Sequence, residues 1–267
     1  MKKIEVSVVM AEYNTKKEYL YIAIESILNQ TFKNFEFIIV DDCGKNNLNE
    51  IVQKYDDKRI RIVKNDRNRG LVYSLNHGIR ESKGKYIVRM DTDDIADEKR
   101  IEKIYDYIKV HPEYAVVSSK VVEFSEEQKL GILGKEGEKS RKDIMHGNIL
   151  IHPSVIMRKD AIEKVGYYKE YNRAEDFVLW CELLLAGYRL YTMDEVLLKY
   201  RVNLEDYNKR KLKHRKGEIR ARLEYYPRLG ANVNDYLYII KSIISGIMPI
   251  WFVHFYRKNF VLKKKVH

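Results

Sequence analysis

Apolar positions in this chain gather in short β-branched runs, each closed by a polar turn and followed by residues at helical spacing. Glu5-Val6-Ser7-Val8-Val9-Met10 is the first run, and it predicts a buried strand ending at Ala11-Glu12-Tyr13-Asn14. From Lys17 to Gln30, Leu20, Ile24, Ile27 and Leu28 share one helical face. Phe35 to Val40 predicts a second strand and closes on Asp41-Asp42. Leu48 to Tyr55 reads as helix, Ile60 to Lys64 as extended, and Leu71 to Arg80 as helix again. Gly84 to Met90 predicts a third buried strand, which ends at Asp91-Thr92-Asp93-Asp94. Strands alternating with helices imply a mostly parallel, three-layer α/β sheet. Ligands of such sheets bind beyond the carboxyl ends of the strands. Tyr13, Asp42 and Asp91 to Asp94 all follow strand ends, so one crevice is expected to hold them.

The later pattern is less regular. Val116 to Phe124 and Ser154 to Met157 read as strands, with a polar stretch from Ser125 to Asp143 between them. Glu175 to Leu185 is amphipathic and helical, and Gly187 is suited to stop it. Val196 to Tyr200 predicts a last strand. Leu204 to Leu229 is basic and helical, and Tyr236 to Tyr256 is apolar but broken by Lys241, Gly246, Pro249 and His254. That segment is long enough to span a bilayer, yet its lysine and proline argue against a clean span. Its tyrosines and tryptophan, with Arg257, Lys258 and Lys263 to Lys265 behind them, fit an anchor in the membrane interface. A helix packed on the core, or a dimer contact, is the plainer alternative.

Three carboxylates crowded at a strand end repel one another, and in apolar surroundings each resists ionising. A divalent cation holding a diphosphate would neutralise them, and oxygen ligands of this kind suit Mg²⁺ or Mn²⁺. The competing reading makes Asp93 or Asp94 the cap of a helix beginning near Ile95.

Charge sharpens the picture. The formal net charge is +11. From Arg201 onward there are 16 Lys/Arg and 5 Asp/Glu, which leaves 34 of each kind in residues 1–200. The excess belongs to the tail, and it points to an acidic partner there, nucleic acid or anionic lipid. Cys43 and Cys181 have neither disulfide nor metal-ligand spacing, and Ile4 to Met10 is too short for a signal peptide, so a reducing cytoplasm is expected.

Val6-Ser7-Val8-Val9-Met10-Ala11-Glu12-Tyr13-Asn14, Ile39-Val40-Asp41-Asp42 and Asn68-Arg69-Gly70-Leu71 resemble the family 2 glycosyltransferases of GT-A fold. So do Leu75-Asn76, Lys83-Gly84-Lys85-Tyr86-Ile87, Met90-Asp91-Thr92-Asp93-Asp94-Ile95 and Glu175-Asp176-Phe177-Val178-Leu179-Trp180. The ordered series covers about residues 4–200 and is closest to bacterial enzymes that build capsule, exopolysaccharide or lipopolysaccharide. It implies a GT-A catalytic domain over 1–203, with a nucleotide-binding half to about residue 95 and an acceptor half over 96–203. Residues 204–267 remain as a basic helical and apolar C-terminal segment, for which charge and apolarity make a membrane-surface anchor the expectation.

The resemblance implies roles as well. Tyr13 stacks on the nucleobase, Asp42 (or Asp41, one register off) accepts a uracil imide N–H, and Asp91 meets the ribose. Asp93 holds the metal with Asp94 as possible partner, and Arg69 assists at the phosphate. Asp176 is the general base of an inverting displacement, with Glu175, Trp180 and His152 toward the acceptor. Trp180 as core and Glu175-Asp176 as helix-start decoration are the plainer readings. Met10, Glu12 and Cys43-Gly44 depart from the family pattern around the nucleotide loop. The implied activity is metal-dependent transfer from a nucleotide-sugar, UDP-linked by expectation, to a saccharide or lipid-linked saccharide at the inner face of the plasma membrane. The alternatives are a non-catalytic nucleotide-sugar binder and a nucleic-acid-binding protein using the tail, although no nucleic-acid motif is present. A dinucleotide-dependent oxidoreductase falls behind because no Gly-x-Gly-x-x-Gly follows the first strand.

Overall fold

The computed structural model describes residues 3–125, 129–147, 149–202 and 211–249. Strands β1 (Val6–Glu12), β2 (Phe35–Asp41), β3 (Ile60–Lys64) and β4 (Tyr86–Met90) are linked by helices α1 (Lys17–Leu28), α2 (Leu48–Gln53) and α3 (Leu71–Glu81). They pair in parallel in the order β3-β2-β1-β4. Parallel pairing places Glu12 beside Asp41 and Met10 beside Met90, so the polar ends of β1, β2 and β4 share one sheet edge.

Residue alternation sorts the two faces. Val8, Met10, Val88 and Met90 pack with α1, α2 and α4 (Arg100–Val110), while Val9 and Ile87 pack on the opposite side with α3. Arg89 lies two residues from Ile87 on the same strand, so it faces the second layer.

Beyond β4 the sheet becomes mixed. The chain runs through β5 (Ile95–Ala96), α4, β6 (Tyr114–Phe124), β7 (Lys129–Leu133), β8 (Gly137–Glu138) and α5 (Arg141–Met145). It continues through β9 (Ile156–Arg158), α6 (Lys159–Lys164), α7 (Glu175–Leu185) and β10 (Arg189–Arg201). The order continues β4-β9-β6-β10-β5, with β7 on β6 and β8 on β10. β9 runs antiparallel to both neighbours, whereas β6 and β10 are parallel to each other. The β9 pairing brings the single-turn 3-10 helix His152–Ser154 to the carboxyl end of β4, where the N–H of Arg89 donates to the carbonyl of Val155.

Several expectations change here. Ile95–Ala96 is a strand paired with β10 and α4 begins only at Arg100, so neither Asp93 nor Asp94 caps a helix. Ser154 belongs to the 3-10 turn, the polar stretch after β6 supplies β7 and β8, and the last strand starts at Arg189.

Within the tail, α8 (Lys216–Leu229) and α9 (Leu237–Ile247) are helical. α8 packs on the catalytic layer: Arg222 donates to the carbonyl of Met145, and the Tyr225 hydroxyl donates to Glu182 of α7 at 2.6 Å. The expectations for 203–210 and 250–267 fall outside the described residues. Among the described residues no helix is long and apolar enough to cross a membrane.

Candidate active site

Three loops at the carboxyl edge of the parallel strands build one side of the site. After β1, Tyr13 presents an open ring, 51% exposed. Glu12, a departure from the family pattern, is fully buried and organises this loop. Its Oε1 accepts the Thr15 N–H at 3.0 Å and the Asn46 amide at 2.8 Å, and burial raises its pKa. Gly44 allows the neighbouring loop to close over it, because a Cβ there would lie 2.9 Å from the Asn14 nitrogen. Thr15 and Thr92 share a 2.6 Å hydroxyl hydrogen bond that ties the β1 loop to the acid loop.

After β2, Asp41 is partly exposed and accepts the Cys43 N–H. Asp42 is buried. Its Oδ1 accepts from Asn65 and from the Arg69 N–H, each at 2.7 Å, and its Oδ2 accepts the Gly70 N–H at 2.9 Å. Arg69 itself is engaged at the surface with Asp66, at 2.8 Å, and lies over the Tyr73 ring. The guanidinium expected at the phosphate therefore already has a carboxylate partner.

After β4, the four acid-loop residues diverge. Arg89, nearly fully buried, donates through Nη1 to Asp91 Oδ2 at 2.6 Å. Asp91 and Asp93 remain half-buried. Asp94 has no exposed surface, and its Oδ1 accepts the Arg201 N–H at 2.9 Å. Arg201 also donates from Nε to the Asp93 carbonyl at 2.8 Å. Burial, and then the charges of Asp91 and Asp93, hold the Asp94 carboxyl well above its ordinary range.

Of the two candidate metal ligands, Asp93 is thus the one that keeps an opening to the crevice. The donor set fits a divalent cation: hard oxygens, concentrated negative charge, and a buried Asp94 Oδ2 with no hydrogen-bond partner among the described residues. No group of three or more His, Cys, Asp or Glu among the described residues forms a full cage. Mg²⁺ and Mn²⁺ take one or two carboxylates and fill the shell with water and phosphate oxygens.

The opposite wall comes from α7 and the loop before it. Asp176 stands half-buried in the first turn, with its Oδ1 accepting the Phe177 N–H at 2.7 Å. Burial, reinforced by the Glu175 charge, pushes its pKa up to about 6, and Arg89 opposes that rise. Tyr168 is pinned by reciprocal bonds with Asn76: its N–H donates at 3.0 Å and its carbonyl accepts at 2.9 Å. Its hydroxyl meets His152 Nε2 at 2.8 Å. Burial and the nearby Arg89 charge keep His152 neutral, well below the usual imidazole pKa.

Trp180 has no exposed surface and packs edge-on against His152, 6.1 Å between ring centroids. It belongs to the core and has no surface left with which to line an acceptor site. The structure therefore gathers Asp91, His152, Glu175 and Asp176 around Arg89 and Tyr168, and places Trp180 behind them. Arg89, Tyr168, Arg201 and Glu12 are participants that sequence reasoning did not select. Arg89 had a readable signal, a lone charge inside an apolar strand. Tyr168 and Arg201 had none, since long-range contacts alone give them their places.

A mixed sheet with an acid loop after its fourth strand and a carboxylate opening a helix on the facing layer defines a GT-A type transferase. The chain belongs to Glycosyl transferase family 2, whose domain matches residues 7–166, and it is a transferase of that family. It is 30% identical over 270 residues to the putative glycosyltransferase EpsE of Bacillus subtilis, covering 98% of this chain and 96% of that one. It is 28% identical over 213 residues to the Escherichia coli UDP-Glc:alpha-D-GlcNAc-diphosphoundecaprenol beta-1,3-glucosyltransferase WfaP, covering 78% and 81% of the two chains. The mannosyltransferase PcManGT of Pyrobaculum calidifontis, solved with GDP-Man and Mn²⁺, shares the fold. Its TM-score is 0.69 at 15% identity, over 91% of this chain and 72% of that one.

Proposed function

We propose that this enzyme transfers a sugar with inversion from a UDP-sugar to a lipid-linked saccharide during assembly of a bacterial surface polysaccharide: capsule, exopolysaccharide or lipopolysaccharide. The observation that carries the reading is the meeting of two unlike acidic sites at Arg89. On one side lies an acid loop suited to a metal-held diphosphate; on the other lies Asp176, with a pKa near 6 that suits proton abstraction near neutrality. The relative WfaP is named for a UDP-sugar donor and a diphosphoundecaprenol acceptor, which supports both halves.

In this reading the nucleobase stacks on the open face of Tyr13. Asp42 already accepts three N–H groups, which leaves about one of its four acceptor positions for a uracil imide. Asp91 borders the ribose, and Asp93 holds the cation. When bound, Mn²⁺ or Mg²⁺ supplies Lewis-acid neutralisation of the departing diphosphate. Asp176 accepts the proton of the acceptor hydroxyl as that oxygen bonds to the anomeric carbon and the diphosphate leaves from the opposite face. A single displacement inverts the centre. Neutral His152 and Tyr168 back the space beside the base without adding charge to it.

The catalytic unit of 1–203 works with residues 204–267 as its seat on the inner face of the plasma membrane. Leu237, Ile240, Ile244 and Ile247 are all substantially exposed along one side of α9. Eleven residues rise only about 16 Å, half of a bilayer's roughly 30 Å hydrocarbon core. A helix of this length lies in the interface, and the basic tail favours an anionic leaflet.

Incubating the enzyme with a panel of nucleotide-sugars, with and without Mn²⁺ or Mg²⁺, tests the reading. Metal-dependent release of UDP from one donor, lost in Asp93→Ala, is the expected result. Failure to bind or turn over any nucleotide-sugar overturns it.

A further inference from the structure

We propose that α8 is a positioning element of the catalytic site, with Gly217 as the seat that fixes the loop carrying Asp176. This inference rests on Asp176 being the base. It concerns a helix that lies outside the matched family domain, in the segment otherwise expected to serve only as an anchor.

The contact is built at the backbone level. A Cβ added to Gly217 would lie 2.1 Å from the carbonyl oxygen of Tyr171 and 2.3 Å from that of Asn172. The first turn of α8 therefore rests directly on the chain four and five residues ahead of Asp176. Both obstructing atoms are main-chain oxygens, so no side-chain rotation relieves the clash. Restoring an ordinary C–H···O separation of about 3.3 Å would push helix and loop apart by about 1 Å. The loop is already turned tightly here, because Asn172 and Arg173 both hold positive φ, 34° and 72°, a region uncommon for L residues and less favourable for Arg than for Asn.

Further contacts fix the same seat. The Tyr171 hydroxyl donates to Glu224 at 2.7 Å, and the Arg220 guanidinium lies over the Tyr171 ring at 5.4 Å. Arg222 lies over the ring of Phe177 at 5.1 Å, and it is the Phe177 N–H that donates to Asp176 Oδ1. Farther along α7, Glu182 takes Tyr225 and Arg228 from α8. α8 thus grips the base-bearing segment before, beside and beyond Asp176. A displacement of this size at a reacting group costs about 100-fold in rate.

Two readouts on the full chain test the proposal: hydrogen exchange across residues 171–177, and steady-state transfer with nucleotide binding measured in parallel. Gly217→Ala should speed exchange in that segment and lower kcat by about 10–100-fold, while the donor KM and the UDP Kd stay unchanged. Tyr171→Phe, which removes only the hydroxyl contact to Glu224, should move both readouts the same way by a smaller factor and covers the case in which Gly217→Ala does not fold. Leu223→Ala, on the exposed side of α8, should leave both unchanged. Unaltered kcat in folded Gly217→Ala, or in Tyr171→Phe where only that variant folds, overturns the proposal. So does a parallel loss of kcat and nucleotide binding, which marks general destabilisation. An inactive wild type that binds no nucleotide refutes the proposed transfer from a UDP-sugar, and the positioning proposal falls with it, whereas an active wild type with insensitive variants refutes the positioning role alone.

Discussion

Arg201, the last residue of β10, holds the buried Asp94 through its backbone N–H and the adjoining Asp93 carbonyl through its side-chain Nε, at 2.9 and 2.8 Å. The final strand of the sheet is thereby fastened to the acid loop more than a hundred residues earlier, and the guanidinium is packed over the rings of Tyr19 and Phe124, at 3.9 and 4.5 Å. Arg201→Ala keeps the N–H but removes the rest. Metal titration of turnover should show the half-saturating Mn²⁺ concentration raised by about 10-fold or more, as for other groups that orient a ligand from behind. An unchanged titration curve would show that the acid loop holds its shape without Arg201.

The pH dependence follows from Asp176. In the proposed mechanism its ionised form is the base, and burial with the Glu175 charge raises its pKa to about 6. The rate should therefore rise with pH through about 6 and level off above it. Removing the neighbouring charge in Glu175→Gln lowers the proton affinity of Asp176, so the acid limb should move to lower pH. Asp176→Asn should lower kcat by about 10²–10⁴-fold while UDP binding persists, measured by calorimetry.

Tyr13 is half-exposed, so its replacement separates binding from folding. Tyr13→Ala should weaken UDP binding by about 1–3 kcal/mol, the contribution of one stacked base. Thermal unfolding should stay within about 0.5 kcal/mol of wild type.

On α9, Ile240 and Ile244 are about half-exposed on one face. The double substitution Ile240→Asp and Ile244→Asp should abolish co-flotation with vesicles containing anionic phosphatidylglycerol. Transfer to a soluble acceptor should continue. Flotation equal to wild type would remove α9 from the membrane seat.

The first four strands and the helices between them were legible because their signals are local. Each of β1, β2 and β4 is a mostly apolar run followed by an acid or aromatic, and parallel crossovers bring those ends to one edge whatever the details between them. The region after β4 was legible only in pieces. Asp176 announced itself within a motif, but whether Trp180 reached the opening depended on the direction of one helix turn, and it packs inward with no exposed surface. Asp93 and Asp94 are adjacent and chemically identical, so no spacing argument separates them; the pairing of β5 with β10 turns Asp94 inward.

The sequence by itself determined the α/β class, the order of the first strands and helices, the acid loop and the concentration of positive charge in the tail. These are properties of runs and neighbours, carried by apolar periodicity and turn chemistry. Only the tertiary structure decided that Arg89 and Tyr168 join the two halves of the site and that α8 is packed against the loop of Asp176. Those outcomes depend on which distant backbone atoms meet once the sheet turns mixed, a matter of packing and strand direction that no local pattern encodes.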